Sequence, residues 1–281
     1  MAGLDVNTNL MAIQAANNLS TNQTAMQNAL TDLSSGYQIN SAADNPAGLV
    51  ISQHLQSQIN GFQQAQANTQ NAVNVAQTMD GALNEIGSIL QTVRTLAVQS
   101  ANSSASDTTA TSAAQAEITQ ALSTIDNIAQ TTVFGSNNLL WTASGAASNV
   151  MTFNFQVGYG NTGGQVSFTI GSISSAALGI SAISVTSLTG ATGAISAVDT
   201  AIQTVSSERG TIGAYQNMFQ DIAANETVMQ QNLTASNASI QDTNMATMMV
   251  KFTQDQILVQ AGVSMLSQAN SIPQDVLKLL G

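Results

Sequence analysis

Apolar side chains recur at steps of three and four over most of this chain, and that spacing predicts helices. Residues 4–34 place Val6, Leu10 and Ile13 on one face, and Leu19, Met26, Leu30 and Leu33 continue it. Residues 47–100 hold a stricter set: Ala72, Ala76, Met79, Leu83, Ile86, Leu90, Val93 and Ala97. Unbroken steps of four and three make the seam of a coiled coil. At ~1.5 Å per residue such a helix is roughly 80 Å long, more than a globular domain of this size needs. Residues 101–112 (ANSSASDTTATS) read as a polar loop, and 113–130 as a third helix with Ile118, Leu122, Ile125 and Ala129 in register.

The pattern then changes. From Thr131 to Gly193 the chain is rich in Gly, Ser and Thr, and two stretches alternate: Met151, Phe153, Phe155, Val157, and then Val166, Phe168, Ile170. Gly158-Tyr-Gly-Asn-Thr-Gly-Gly164 lies between them, so the pair reads as a β-hairpin with a glycine-rich turn. Helix returns after Gly193 with Ile195, Val198, Ile202, Val205, Ile212 and Phe219, where Arg209 and Gln216 hold two seam positions. The last grid, in 237–280, is Met245, Met249, Phe252, Val259, Val263 and Leu266, with Gln256 as its polar exception. A second stripe follows Val250, Ile257, Ala261 and Met265. Antiparallel pairing of the first and last helices brings the ends of the chain together. One helix pair cannot cover stripes on several faces, so the surplus asks for other copies of the chain.

A joint separates the first two helices at Leu33–Ser52 (LSSGYQINSAADNPAGLVIS). Gly36 ends a helix cheaply because it tolerates a left-handed backbone. Asp44 or Asn45 can cap the next helix, and Pro46 suits its first turn, where no amide donor is needed. Asn40 belongs to the same hinge set.

Composition narrows the function. The chain is 43% apolar but only 4% aromatic, so its core is thin. Charged residues make up 7%, against about a quarter in an average protein. Four basic residues against 15 acidic ones exclude nucleic-acid binding, which needs clustered Lys and Arg. There is no cysteine, hence no disulfide, thiolate nucleophile or Cys-based zinc site. No apolar run approaches a membrane span, and no cleavable secretory signal is expected. Catalysis has little to work with. His54 is the only histidine and reads as a helix-surface residue. Asp80 and Glu85 do not share a face. The glycines at 158–164 lack the Lys-Ser/Thr ending and following helix of a phosphate loop. No enzyme activity, cofactor or metal is expected.

These segments resemble bacterial flagellin over nearly the whole chain. The opening run with Asn9 and Ala15-Ala16-Asn17-Asn18 is similar to that family's first helix, and Leu33–Ser52 to its spoke-and-hinge fingerprint. LQTVRTLAVQ (90–99) and AEITQALSTID (116–126) resemble its rod helices. Arg209-Gly-Thr-Ile-Gly-Ala214 and the closing QILVQAGVSMLSQANSIPQDVLKLL (256–280) resemble its carboxy-terminal half. The resemblance implies a mainly α fold: long coiled-coil-like helices from both ends forming a rod, with a small β-hairpin region in the middle. It implies three parts: 1–40 with 237–281 as an inner-tube domain that orders on assembly, 41–141 with 194–236 as a helical rod, and 142–193 as an outward hairpin region.

The implied function is that of the structural subunit of the flagellar filament, exported unfolded through the flagellar type III channel and ending extracellularly without a cleaved signal. A hook–filament junction protein is the alternative. Implied partners are other copies of the chain, an export chaperone on the carboxy-terminal helix, and hook-associated and cap proteins. Leu10, Ile13, Leu30, Leu33, Met245, Met249, Phe252, Val259, Val263 and Leu266 are expected to pack helices within and between subunits. Met245, Met248, Met249 and Met265 suit either filament packing or an adaptable chaperone face. The hinge residues are Gly36, Asn40, Asp44, Asn45 and Pro46. Gln38, Asn45 and Met218 stand where the family usually carries charge, so hydrogen bonds and apolar packing are expected to fix the joint. The family's rod also holds a site for a Toll-like innate immune receptor. Arg94, Leu96 and Glu117 match it, whereas Thr92 and Thr95 replace an expected Arg and Glu, so weakened recognition is expected.

Overall fold

A computed structural model describes residues 8–102, 107–142, 150–160 and 163–280. Val6, the turn residues Asn161 and Thr162, and the start of the outward region at 143–149 lie outside the described residues. The chain divides into two compact units: Met1–Ser57 with Asn232–Gly281, and Gln58–Gln231. Among the described residues there are five helices: α1 (Leu10–Ser35), α2 (Pro46–Ser100), α3 (Thr108–Thr131), α4 (Leu188–Gln241) and α5 (Met245–Leu280). The strands among the described residues are β1 (Val133–Phe134), β2 (Asn137–Asn138), β3 (Val150–Gln156) and β4 (Gln165–Gly171).

In Gln58–Gln231 the predicted α2 seam is the core. Ala72, Ala76, Met79, Leu83, Ile86, Leu90, Val93 and Ala97 are all fully buried. Most of them join one cluster with Ile118, Leu122, Ile125 and Ala129 of α3 and Val198, Val205 and Ile212 of α4. Two ion pairs tie α2 to α4: Arg94 to Asp199 at 2.6 Å and Arg209 to Asp80 at 2.8 Å. Both are nearly half exposed, so they set register more than they add stability.

The α4 seam differs from the sequence reading in one of its two rows. Val198, Val205, Ile212 and Phe219 are buried as expected. The second row runs through Ala191, Ala194 and Ala201, which are buried, whereas Ile195 and Ile202 sit at its flank. Arg209 is consequently a half-exposed flank residue on Asp80 and Asn84 rather than a seam residue. Adjacent rows on a helix are one residue apart, and periodicity alone prefers the larger side chain. The smaller Ala wins here because α4 must fit closely among α2, α3 and the hairpin.

The hairpin forms as the alternation predicts. Met151 faces Ile170, Phe153 faces Phe168, and Phe155 faces Val166. The Phe168 ring meets Tyr215 of α4 at 4.7 Å, and Phe155 meets Phe219 at 5.5 Å. At the turn, a Cβ on Gly158 would lie 2.7 Å from Gly164 Cα, which is why both positions are glycine. Three features were not expected. A two-residue turn at Gly135-Ser136 closes the short β1–β2 pair. Asp107 accepts from Ala110 N–H at 2.7 Å and starts α3 at Thr108, inside the expected loop. Ser187 Oγ accepts from Gly190 N–H, and α4 begins at Leu188, before Gly193.

The irregular segment after β4 is also core. Ile173, Leu178, Ile180 and Val185 are buried. Asp126 accepts from Ser175 N–H and Oγ–H, both at 2.7 Å, and Gln115 accepts from Val185 N–H and donates to Ile183 C=O. Two α3 side chains thus stand in for a strand partner.

In the other unit α1 packs against α5. Asn9 Nδ2 donates to Ala269 C=O at 2.7 Å, and at the opposite end Thr243 N–H donates to Gly36 C=O at 2.9 Å, so the two helices are antiparallel.

Candidate functional site

The features that bear on function are the joint between α1 and α2 and the two faces of the α1–α5 pair. Gly36 takes φ 78° and its N–H closes on Asp32 C=O, which ends α1 where the sequence places the end. Asn45 caps α2: its Oδ1 accepts from Gly48 N–H at 2.9 Å, with Pro46 as the first helical residue. Asp44 has another task. Its Oδ2 accepts from Ser41 N–H, Asn40 N–H and Ser41 Oγ–H at 2.8 to 3.1 Å, closing the loop before the cap. The Ser41 and Asn40 amide donors hold the Asp44 carboxyl below its ordinary pKa. Asn40 Nδ2 reaches back to Asp32 Oδ1 and Tyr37 C=O, both at 2.9 Å.

A second break faces this joint. α4 ends at Gln241 and α5 starts at Met245, where Asn244 Oδ1 accepts from Ala246 and Thr247 N–H. Residues 36–38 pair with 240–243 across the two breaks. Gln38 N–H donates to Gln241 C=O at 2.8 Å, Gln38 Nε2 to Ile240 C=O at 2.8 Å, and Tyr37 bridges to Asp242. Ser52 Oγ donates to Gln241 Oε1 at 2.8 Å. The amide at Gln38 thus holds the joint through hydrogen bonds. The break at 242–244 was missed: a single Asp-Thr-Asn between two helical grids is a weak signal beside Gly or Pro.

The sequence grids of α1 and α5 separate into two faces. Toward each other α1 turns Ala12, Ala15, Leu19, Met26, Ala29 and Leu33, and α5 turns Met248, Phe252, Asp255, Val259, Gly262, Leu266 and Ala269. A Cβ at Gly262 would lie 3.1 Å from the Leu19 side chain, so this is a close crossing. Of the expected packing residues, Leu33, Phe252, Val259 and Leu266 belong to this inner face. Leu10, Ile13, Leu30, Met245, Met249 and Val263 do not: they are exposed, Leu10 at 69%. Asp255 rather than Gln256 is the polar seam residue of α5. It is buried and its Oδ2 has no hydrogen-bond partner. Val250, Ile257 and Met265 extend the outer face, as the second stripe predicts, and Val250 is also 69% exposed.

Of the three rod positions, Arg94 and Glu117 are exposed and Leu96 is half-buried against the core. His54 is exposed on α2, and no group of His, Asp or Glu among the described residues could hold a metal. Among the described residues no helix is long and apolar enough to cross a membrane.

Comparison with known proteins accounts for this layout. Residues 6–144 match the bacterial flagellin N-terminal helical region, and 195–280 the bacterial flagellin C-terminal helical region. Flagellin of Bacillus subtilis (strain 168) is 36% identical over 98% of this chain and 99% of its own length. Flagellin of Halalkalibacterium halodurans is 38% identical over the same shares. The flagellar filament 30.7 kDa core protein of Treponema maltophilum is 36% identical, also over 98% and 99%. A crystal structure of Bacillus cereus flagellin is 31% identical, with a TM-score of 0.49 over 57% of this chain and 88% of that one. The chain, mainly helical with small antiparallel hairpins in its middle, belongs to the bacterial flagellin family of structural filament proteins and is not an enzyme.

Proposed function

We propose that the chain polymerises through the outer face of its α1–α5 pair into the flagellar filament. The observation that carries this reading is the row of large apolar side chains that the pair leaves in water: Leu10, Ile13 and Leu30 on one helix, Met249, Val250, Ile257 and Val263 on the other. Fully burying such a side chain is worth about 1.5–3 kcal/mol. Even half of that, summed over the row, is on the order of 10 kcal/mol, comparable with the cost of immobilising a subunit. Head-to-tail contacts between identical subunits then extend without closing.

In this reading residues 1–40 and 237–281 form the inner tube, 41–141 and 194–236 the rod, and 142–193 the outward region. Gly36, Asn40, Asp44, Asn45 and Pro46 are the hinge between the first two. The helices order on assembly, because Ala-, Gln- and Asn-rich segments bury too little alone to offset their ordering entropy. Before that the chain travels unfolded through the type III channel, with a chaperone on the Met-rich outer face of α5, and it reaches the cell exterior without losing a signal. Hook-associated and cap proteins border the polymer. Recognition by a Toll-like receptor is weakened, since Asp199 already engages Arg94 and Leu96 is half-buried. A receptor-reporter assay at full potency contradicts that last point.

Seeding purified full-length chain on short filament fragments and imaging the product tests the function. Long tubes from the intact chain, and none after deletion of 237–281, support the filament subunit. Growth that stops at a short cap favours a junction protein instead.

A further inference from the structure

The chain contains no cysteine, so its 11 methionines are its only sulfur atoms and its softest targets for oxidants. They are not distributed evenly. Met79 is fully buried and Met151 nearly so, both inside the core of Gln58–Gln231. Among the described residues the exposed ones are Met11 on α1, Met245, Met249 and Met265 on α5, and Met229 on α4. Met11 and Met265 are each 63% exposed. Four of the five therefore stand on the two helices that carry the unpartnered apolar rows.

We propose that Met11, Met245, Met249 and Met265 are oxidation sites at which a peroxide controls entry of the chain into its polymer. This rests on the filament reading. A sulfur lone pair attacks one peroxide oxygen, the O–O bond breaks, an S=O bond forms, and the second oxygen leaves as water. The thioether loses two electrons and the peroxide gains them. The product is a strong hydrogen-bond acceptor on a side chain whose value to assembly lies in having none. Inside a packed subunit contact that acceptor has no donor, whereas in the free chain water satisfies it. Oxidation therefore penalises the assembled state selectively. Once assembled, the same sulfurs are covered, so chains still awaiting incorporation are the sensitive population.

The test treats full-length chain with dilute hydrogen peroxide, removes the oxidant, maps sulfoxides by peptide mass spectrometry and follows elongation from untreated seeds. The expected result is oxidation of the four named residues and Met229 well before Met79 and Met151, with elongation slowed at least tenfold. Thiol-driven reduction by the two sulfoxide reductases, one for each epimer, restores growth with no change of sequence. A chain in which the six methionines of α1 and α5 (Met11, Met26, Met245, Met248, Met249 and Met265) are all replaced by Leu elongates after the same treatment, whereas Met229→Leu alone remains arrested. Elongation at the untreated rate by chains carrying all four sulfoxides overturns the proposal, as does a failure of reduction to restore growth. An untreated chain that cannot extend seeds contradicts the filament reading itself.

Discussion

Glu226 sits on the α4 seam, buried to 3% exposure, with neither carboxylate oxygen on a hydrogen-bond donor. Thr69, next to it on α2, keeps its own hydroxyl on Ala65 C=O. From residue 55 to 79, α2 offers no titratable side chain to compensate it, and Asp221 is the neighbouring charge on α4. Burial raises the Glu226 pKa above its ordinary value, by more than the adjacent Thr69 hydroxyl lowers it. An acid with a raised folded pKa costs stability when ionised, and that cost disappears as pH falls through the folded value. We expect Glu226→Gln to stabilise the chain at pH 7, because it removes the charge from the buried site and keeps the shape of the side chain. In thermal unfolding the gain should vanish below the ordinary Glu pKa of about 4.3. Asp44 runs the other way. Its folded pKa is lowered, so its stabilising effect is present above the ordinary Asp value and is lost as pH falls through the folded one. Asp44→Asn should therefore weaken protection of the 40–48 amides at pH 7 in hydrogen exchange, and make little difference in strong acid.

At the scale of elements, the two breaks govern the terminal helices. Gly36 has φ 78°, a left-handed backbone that costs a residue with a Cβ about 1 kcal/mol or more, although the space around it is open. Gly36→Ala should fray the end of α1 and raise amide exchange there without touching the core of Gln58–Gln231. Within that core, Leu83→Ala should lower stability by about 2–5 kcal/mol in urea titrations, because Leu83 is fully buried on the seam. These elements also show what a sequence can reveal. The α2 seam was legible because its large apolar residues leave one row to choose. The hairpin was legible in the alternation of Phe153 and Phe155, and of Val166 and Phe168, about a glycine-rich turn, and the joint in Gly36 and Pro46. In α4 and α5 two adjacent rows compete, and the larger side chains mark the wrong one for intrachain packing. Ala194 and Ala201 displace Ile195 and Ile202, and Gly262 displaces Val263. Close helix crossings select small residues, while a helix that also meets other subunits keeps large ones outside. Hydrophobicity alone cannot tell which row faces the same chain.

For the whole molecule, scarcity of charge is the distinguishing property. Acid neutralises the 15 carboxylic side chains and leaves four Lys and Arg with one His, so self-repulsion at low pH stays small. Relief of the Glu226 and Glu208 burial cost acts in the same direction. Filaments should therefore keep their length in mildly acid buffer, and electron microscopy showing depolymerisation there would remove the idea. The central claim is that the outer face of the α1–α5 pair joins subunits. Its most direct test is seeded elongation by a chain carrying Met249→Glu and Ile257→Glu, two exposed positions that leave the α1-facing row intact. The account predicts that this chain retains the unfolding transition of Gln58–Gln231 yet adds nothing to seeds that the unmodified chain extends. Elongation of the doubly substituted chain at the unmodified rate would contradict it.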